Sequence, residues 1–485
     1  MARRPRHAPL KVCLNGRLVG HLRRQASGAI DFRYDPDWLA WEHALPVSFS
    51  LPLREDRYIG APVIAVFDNL LPDNDRIRQR MAERMHAAGT DAYSLLSAAG
   101  RDCVGALQFL PADLDPGPLG ALDGTPVSEE AIRTLLDNLA DTPLGLSESD
   151  DFRISIAGAQ EKTALLRVDG RWLKPRGTTA TTHILKPPIG PTKGHLDLSD
   201  SVENEWLSLA LVRAMGLLAA KAEMADFAGR KALVVERFDR LWTDETPSRL
   251  LRLPQEDCCQ ALGVPPMAKY ESEGGPGIGR ILELLKASDR PAEDCRAFLK
   301  TQIVFWLMAA SDGHAKNFSL LLSAGGRFRL APLYDVMSAE PYSRSRQLDG
   351  QKLKLAMAVG DNRHYEIEEI VPRHFTQTGV KYGLAKTQVE EILDEVGKAA
   401  PKAIDTVMAA LPASVPTSTA ESIIEGMRKR LKLIEGRSKV SNPPEPCQSA
   451  AGSCSTAANA LVESRQPETR KASRWGSPRR CREDQ

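Results

Sequence analysis

Apolar positions along the 485-residue chain change their period several times, and each change marks an element. Near the start, Lys11-Val-Cys-Leu and Arg17-Leu-Val-Gly flank Asn15-Gly16. That dipeptide accepts the positive φ angles of a type I′ turn, so the spacing predicts a β-hairpin. A small α/β region follows to about residue 110; it contains Phe67-Asp-Asn-Leu-Leu-Pro-Asp, with a helix predicted after Pro72. Residues 111–126 are rich in proline and glycine and read as a linker or surface loop. Ser128 suits an N-cap, with Glu129 and Glu130 in the favoured first turn of a helix.

Strand periods dominate next. Phe152-Arg-Ile-Ser-Ile alternates, Gly158-Ala-Gln-Glu-Lys breaks the alternation, and Thr163 to Val168 resumes it. Asp169-Gly170 marks a second hairpin turn, and His183-Ile-Leu-Lys186 and Leu233-Val-Val-Glu-Arg-Phe read as further strands. Between these two, Trp206, Leu207, Leu209, Ala210 and Leu211 predict a buried helix. From about residue 280 the pattern is mainly helical, with Phe298 to Ala310 strongly apolar. Thr387-Gln-Val-Glu390 and Ser418-Thr-Ala-Glu421 predict capping boxes, and the last helix is expected to stop at Gly436. The expected divisions are 1–110, an amino-terminal subdomain; 111–150, linker and helix; 151–245, a nucleotide-binding part; 246–440, a mainly helical catalytic part; and 441–485, a tail.

Composition narrows the class. A formal net charge of +1 gives no global field that would select nucleic acid or a membrane. No apolar run reaches 18 residues, so no membrane-spanning helix is expected, and the basic start lacks the apolar core of a secretory signal. The eight cysteines are scattered without a C-x-x-C pair; adjacent Cys258 and Cys259 read as packing residues, and free thiols fit the reducing cytoplasm. The Pro-, Ser-, Ala- and Arg-rich tail after Val440 has one aromatic residue, Trp475, and is expected to be disordered.

The chemistry-bearing residues cluster around Ser311-Asp-Gly-His-Ala-Lys-Asn317, directly after the apolar helix. Asp312 and Asn317 stand five residues apart, the spacing with which kinase catalytic loops place a base for the substrate hydroxyl and a magnesium ligand. Asp-Gly is also common in plain turns, so spacing alone does not decide. Leu320-Leu-Leu leads away from this loop, Gly325-Gly326 turns the chain, and Phe328 to Leu333 returns it, bringing Asp335 back toward Asn317. Two hard oxygen ligands, Asn317 and Asp335, suit Mg²⁺. Lys186, at the end of an apolar strand, needs a charged partner, which a nucleotide phosphate could be. Glu205 could pair with it, and a solvated helix face explains Glu205 equally well. Glu236-Arg237-Phe238 could offer backbone groups to adenine.

Ser155-Ile-Ala-Gly-Ala-Gln-Glu-Lys-Thr-Ala-Leu-Leu, Thr182-His-Ile-Leu-Lys-Pro-Pro-Ile-Gly, Leu253-Pro-Gln-Glu-Asp, Lys269-Tyr-Glu-Ser-Glu-Gly-Gly-Pro-Gly-Ile and Asp312-Gly-His-Ala-Lys-Asn-Phe-Ser resemble the HipA family, in order, over about residues 10–437. The resemblance implies an α+β, two-lobed protein-kinase-like (PI3/4-kinase-like) fold with an amino-terminal α/β subdomain and a mainly helical carboxy-terminal lobe. It implies a toxin serine/threonine kinase using ATP and Mg²⁺, with a helix-turn-helix antitoxin tethering it to operator DNA and an aminoacyl-tRNA synthetase, the glutamyl enzyme first, as target. By matching motif positions, ATP would contact Ala157, Gly158, Ala159, Gln160, Glu161, Lys162, Lys186, Glu236, Arg237, Phe238, His314, Ala315, Lys316, Asn317 and Asp335. Asp312 would be the catalytic base and Ser155 the autophosphorylation site. A scaffold acting mainly in DNA-bound repression would not need Asp312, Asn317, Asp335 and Lys186 intact. A small-molecule kinase would share the Asp-x-x-x-x-Asn spacing but not the full-length resemblance.

Overall fold

The computed structural model describes residues 8–146, 153–192, 196–243, 248–348 and 352–440. Within 1–441 the described residues form one compact unit. The expectation of a disordered tail concerns residues outside the described ones.

Two sheets organise the first half. Leu10–Leu14 and Arg17–Arg24 form the expected hairpin, with Asn15 and Gly16 at φ 47° and 81°. They belong to a five-stranded sheet completed by Ile30–Tyr34, Tyr58–Ile59 and Leu107–Leu110. Helix Asp75–Arg84 follows Pro72 as predicted, with the Asn74 side chain accepting from Arg76 N. A six-stranded sheet holds Thr163–Val168, Arg171–Pro175, His183–Lys186, Ala222–Phe227 and Arg230–Glu236. Its edge strand, Gly124–Pro126, comes from the segment expected as a linker. Pro126 is tolerated there because an edge strand has one unpaired side. Ile154–Ser155 instead pairs in parallel with Asp102–Cys103, joining the two regions.

Helix Ser201–Ala214 packs on the second sheet and is buried nearly all round, including Glu203, Asn204 and Glu205. The second half is mainly helical. The apolar helix runs Pro291–Met308, longer than predicted because Arg290-Pro291 opens it upstream of the apolar stretch. Three boundaries move, one of them the start of the last helix at Thr417, ahead of the Ser418 box. One helix starts at Lys386, where Gln388 caps the Ala385 N–H, rather than at the Thr387 box. The last, Thr417–Val440, passes through Gly436, since glycine lowers helix propensity without forbidding helix. Cys13, Cys103, Cys258, Cys259 and Cys295 are buried free thiols, as packing residues should be. No described helix is long and apolar enough to cross a membrane.

Candidate active site

One large cleft, about 550 Å³, gathers residues from across the sequence. Each arrives by a local device. Helix Pro291–Met308 ends on Ala309 in the left-handed region at φ 51°, which throws Ser311 and Asp312 out of the helix axis. Gly313 follows because a Cβ there would lie 2.6 Å from the Phe305 ring. The Asn317 amide then donates back to the Asp312 carbonyl at 2.8 Å, closing the loop on itself. The Asp312 carboxylate is more than half exposed and accepts a hydrogen bond from the Tyr270 hydroxyl. The Tyr270 ring meets His314 edge-on, with centroids 4.8 Å apart. Burial lowers the pKa of His314, favouring its neutral form.

Across the cleft, Lys186 Nζ donates to Glu205 at 2.8 Å and 3.1 Å and to Asp335 Oδ1 at 2.8 Å. Burial alone would favour neutral Lys186; the Asp335 and Glu205 carboxylates outweigh it and keep the amine charged, above the ordinary lysine range. Burial raises Glu205, with Lys186 opposing it. Burial would raise Asp335 as well, but Lys186 and Lys162 outweigh it and hold this carboxyl well below its usual range. Asp335 sits at φ 57°, a conformation that costs a non-glycine residue energy and that Asp tolerates better than most. Its neighbours enforce it: Asn204 exchanges hydrogen bonds with Ser338 N and O at 2.9 Å and 2.8 Å, and Tyr334 donates to Lys316 O at 2.9 Å.

The phosphate-loop candidate lies between. Gly158, at φ 108°, could not carry a Cβ without meeting Lys162 Nζ at 2.5 Å. Lys162 Nζ donates to Ala157 O at 2.8 Å, and burial together with Lys186 lowers its pKa to about 8. Ile184, Ala220, Val235, Phe238 and Tyr334 supply an apolar wall suited to a flat heterocycle.

Of the predicted site residues, Asp312 and all the ATP-contact candidates except Glu161 and Ala315 line this cleft. Glu161 lines a small neighbouring pocket, and Ala315 is buried beneath the loop. Arg237 reaches the cleft wall, but its guanidinium is taken up elsewhere, by Asp239, Asp102 and Cys103 O. Ser155 is fully buried, and its hydroxyl donates to Leu70 O at 2.9 Å. Asn317 Oδ1 and Asp335 Oδ2 accept no hydrogen bond from the described residues, leaving two hard oxygens that fit a magnesium ion. Sequence reasoning missed Asp73, Lys269 and Tyr270, all of which bear on the cleft. The Phe67–Asp73 and Lys269–Ile278 segments were visible as motifs, but the partners of Asp73 lie about two hundred residues away, beyond any local signal.

Comparison with known proteins places the chain in a family. A family model described as the HipA-like C-terminal domain matches residues 154–404, and one for the HipA N-terminal domain matches residues 10–110. The chain belongs to the HipA family. A relative named as a kinase, Y4mE of Sinorhizobium fredii, is 36% identical over 82% of this chain and 92% of its own. The serine/threonine-protein kinase toxin HipA of Shewanella oneidensis is 26% identical over 83% of this chain and 90% of its own. The solved structure of that organism's HipA, in complex with HipB and operator DNA, matches with a TM-score of 0.73 at 24% identity; it covers 88% of this chain and 98% of that one. As a HipA-family member the chain is a serine/threonine kinase of mixed α/β fold.

Proposed function

We propose that this HipA-family protein transfers the γ-phosphoryl group of ATP to a serine of an aminoacyl-tRNA synthetase, the glutamyl enzyme first, and so halts translation. The observation that carries the reading is the convergence of the Lys186–Glu205 pair, Asp335, Asn317 and Asp312 on one cleft. Asp312 accepts the proton of the substrate hydroxyl; its exposure leaves an oxygen for that hydroxyl beside the Tyr270 bond. Lys186, fixed by Glu205, holds ATP's phosphates, and the apolar wall takes adenine beside Glu236–Phe238. Asn317 and Asp335 would hold Mg²⁺, which when bound neutralises charge on the phosphoryl oxygens. The finer fold reading, two lobes of the PI3/4-kinase-like kind with the cleft between them, belongs to the same proposal.

Ser155 is the self-modification site in this reading. Its buried hydroxyl means that phosphorylation requires Ile154–Ser155 to leave its strand pairing. A phosphoryl group adds roughly −1.5 to −2 charge, which the buried pocket at Leu70 O does not accommodate. The loop then stays out and the enzyme is off. The event passes between molecules. After incubation with Mg·ATP, mass spectrometry should find phospho-Ser155 in wild type and in Asp312→Asn mixed with wild type, but not in Asp312→Asn alone. An unmodified Ser155 in active wild type contradicts the assignment.

Partners follow by the same likeness. The Shewanella oneidensis HipA was solved with HipB and operator DNA. We extend to this chain a HipB-like helix-turn-helix antitoxin that carries it to operator DNA as corepressor, in the cytoplasm. Phosphoproteomics after brief induction tests the substrate: a phosphoserine on the glutamyl synthetase is expected, and labelling of other proteins only would overturn the choice.

A further inference from the structure

The Leu70–Asp73 turn belongs to the amino-terminal region, yet it touches both loops of the cleft. Its backbone holds the phosphate loop. Leu70 O accepts from Ser155 Oγ at 2.9 Å, Asp73 N donates to Gly158 O at 3.2 Å, and Pro72 and Gly158 form a parallel bridge. Its one carboxylate holds the catalytic loop. Asp73 Oδ2 accepts from Lys269 Nζ at 2.9 Å, and Oδ1 accepts from Lys316 Nζ. Lys316 is buried between Asp312 and Asn317, and among the described residues Asp73 is the only hydrogen-bond partner of its ammonium.

The turn itself is fixed from behind. Arg78 donates to Pro72 O at 2.6 Å and to Asp68 Oδ1 at 2.7 Å, and the Asn69 amide donates to Ala65 O and Val264 O at 2.7 Å and 2.9 Å. Position is therefore transmitted from the amino-terminal helices to Lys316 through one side chain. A lysine on its own is a compact charge on a flexible four-carbon stem, so where it sits depends on what holds it.

We propose that Asp73 is a positioning residue of the transfer site: it holds the Lys316 ammonium where charge develops on the migrating phosphoryl group, while its own turn braces the phosphate loop. The amino-terminal region then completes the site rather than merely flanking it. This inference rests on the kinase reading above. Its signature is a split of opposite signs. Asp73→Asn releases two ammoniums, Lys269 and Lys316, toward the phosphates, so the variant binds Mg·ATP as tightly as wild type or more tightly. It loses turnover, because misplacing a transition-state contact by about 1 Å costs on the order of a hundred-fold. A simple packing defect would instead weaken both.

The experiment uses the full chain. Mg·ATP affinity is read by calorimetry, and kcat by incorporation of label from γ-labelled ATP into the chain itself and into glutamyl-tRNA synthetase. Asp73→Asn should lower kcat roughly ten- to a hundred-fold with Kd for Mg·ATP unchanged or lower. Unchanged kcat overturns the proposal, as does a parallel loss of kcat and affinity. If Asp73→Asn melts early, Lys316→Met carries the test: its kcat should fall at least ten-fold, and near-normal turnover overturns the proposal. Wild type that neither binds nor transfers would refute the kinase reading itself, a result separate from these.

Discussion

Asp102 and Asp335 are both carboxylates held against buried cations, and the two surroundings differ in what they leave over. Asp102 accepts from Arg240 and Arg252 on one oxygen, and from Arg237 and the Thr181 N–H and hydroxyl on the other. Asp239 closes the network by taking Arg237 and the Gly105 N–H. Every strong group there is answered by protein, and the three guanidiniums outweigh burial to hold Asp102 well below the carboxylate range. Around Asp335 one oxygen is answered by Lys186, the backbone is in a costly conformation, and the rest faces a cleft. A sealed network fixes chain segments relative to one another; an incompletely answered one is kept ready for a ligand.

The two should therefore fail differently. Asp335→Ala should remove transfer altogether, on the order of a thousand-fold or more, because it removes the phosphate-side anion and with it the proposed magnesium ligand. It should weaken Mg·ATP more than metal-free nucleotide while the melting temperature holds, and equal weakening of both by calorimetry would break the metal assignment. Asp102→Ala should act on folding. Leaving three buried guanidiniums short of their counter-charge costs about 3–5 kcal/mol, read by urea denaturation. Wild-type stability in that variant would show that the network is not structural.

Arg237 shows where sequence reading runs out. Its position after the Leu233–Glu236 stretch suggested a backbone contact with adenine, and the residue lines the cleft, but nothing local revealed that Asp102, over a hundred residues earlier, takes its guanidinium. The same limit hid Asp73 and Tyr270. What was legible had a local signature: the Asn15-Gly16 and Asp169-Gly170 turns, the Ser128 cap, and the Asp312 and Asn317 spacing that a single loop closes. The Lys186–Glu205 pair lay midway, because helix position made it feasible and only burial of both partners decided it.

Smaller effects sharpen the contrast through pH. With its pKa near 8 through burial and Lys186, Lys162 is partly neutral at pH 8.5. Phosphates favour its charged form, so Mg·ATP binding there should take up a proton, and binding below pH 7 should not. Calorimetry in buffers of different ionisation enthalpy reads this, and proton release at pH 8.5 would contradict it. Glu256 is the sealed counterpart, buried against Ser48 and Phe49 N with no cation bonded to it among the described residues, and burial raises it to about 8. A raised folded pKa means that the native state keeps a proton the unfolded chain gives up. The contribution of this group is then fully present below about pH 4.5 and is lost as pH rises through 8. Glu256→Gln should flatten that fall in melting temperature; Asp257, raised by burial to about 7, contributes a slope of the same sign. An unchanged slope would exclude Glu256 as its source.

Asp312 is proposed to take the substrate's proton in a cleft that binds ATP without it. Asp312→Asn in the full chain, assayed with γ-labelled Mg·ATP and glutamyl-tRNA synthetase, tests it directly. The variant should bind Mg·ATP within about three-fold of wild type and transfer ~10²–10⁴-fold more slowly. Near-normal transfer by the folded variant would mean that another group takes the proton.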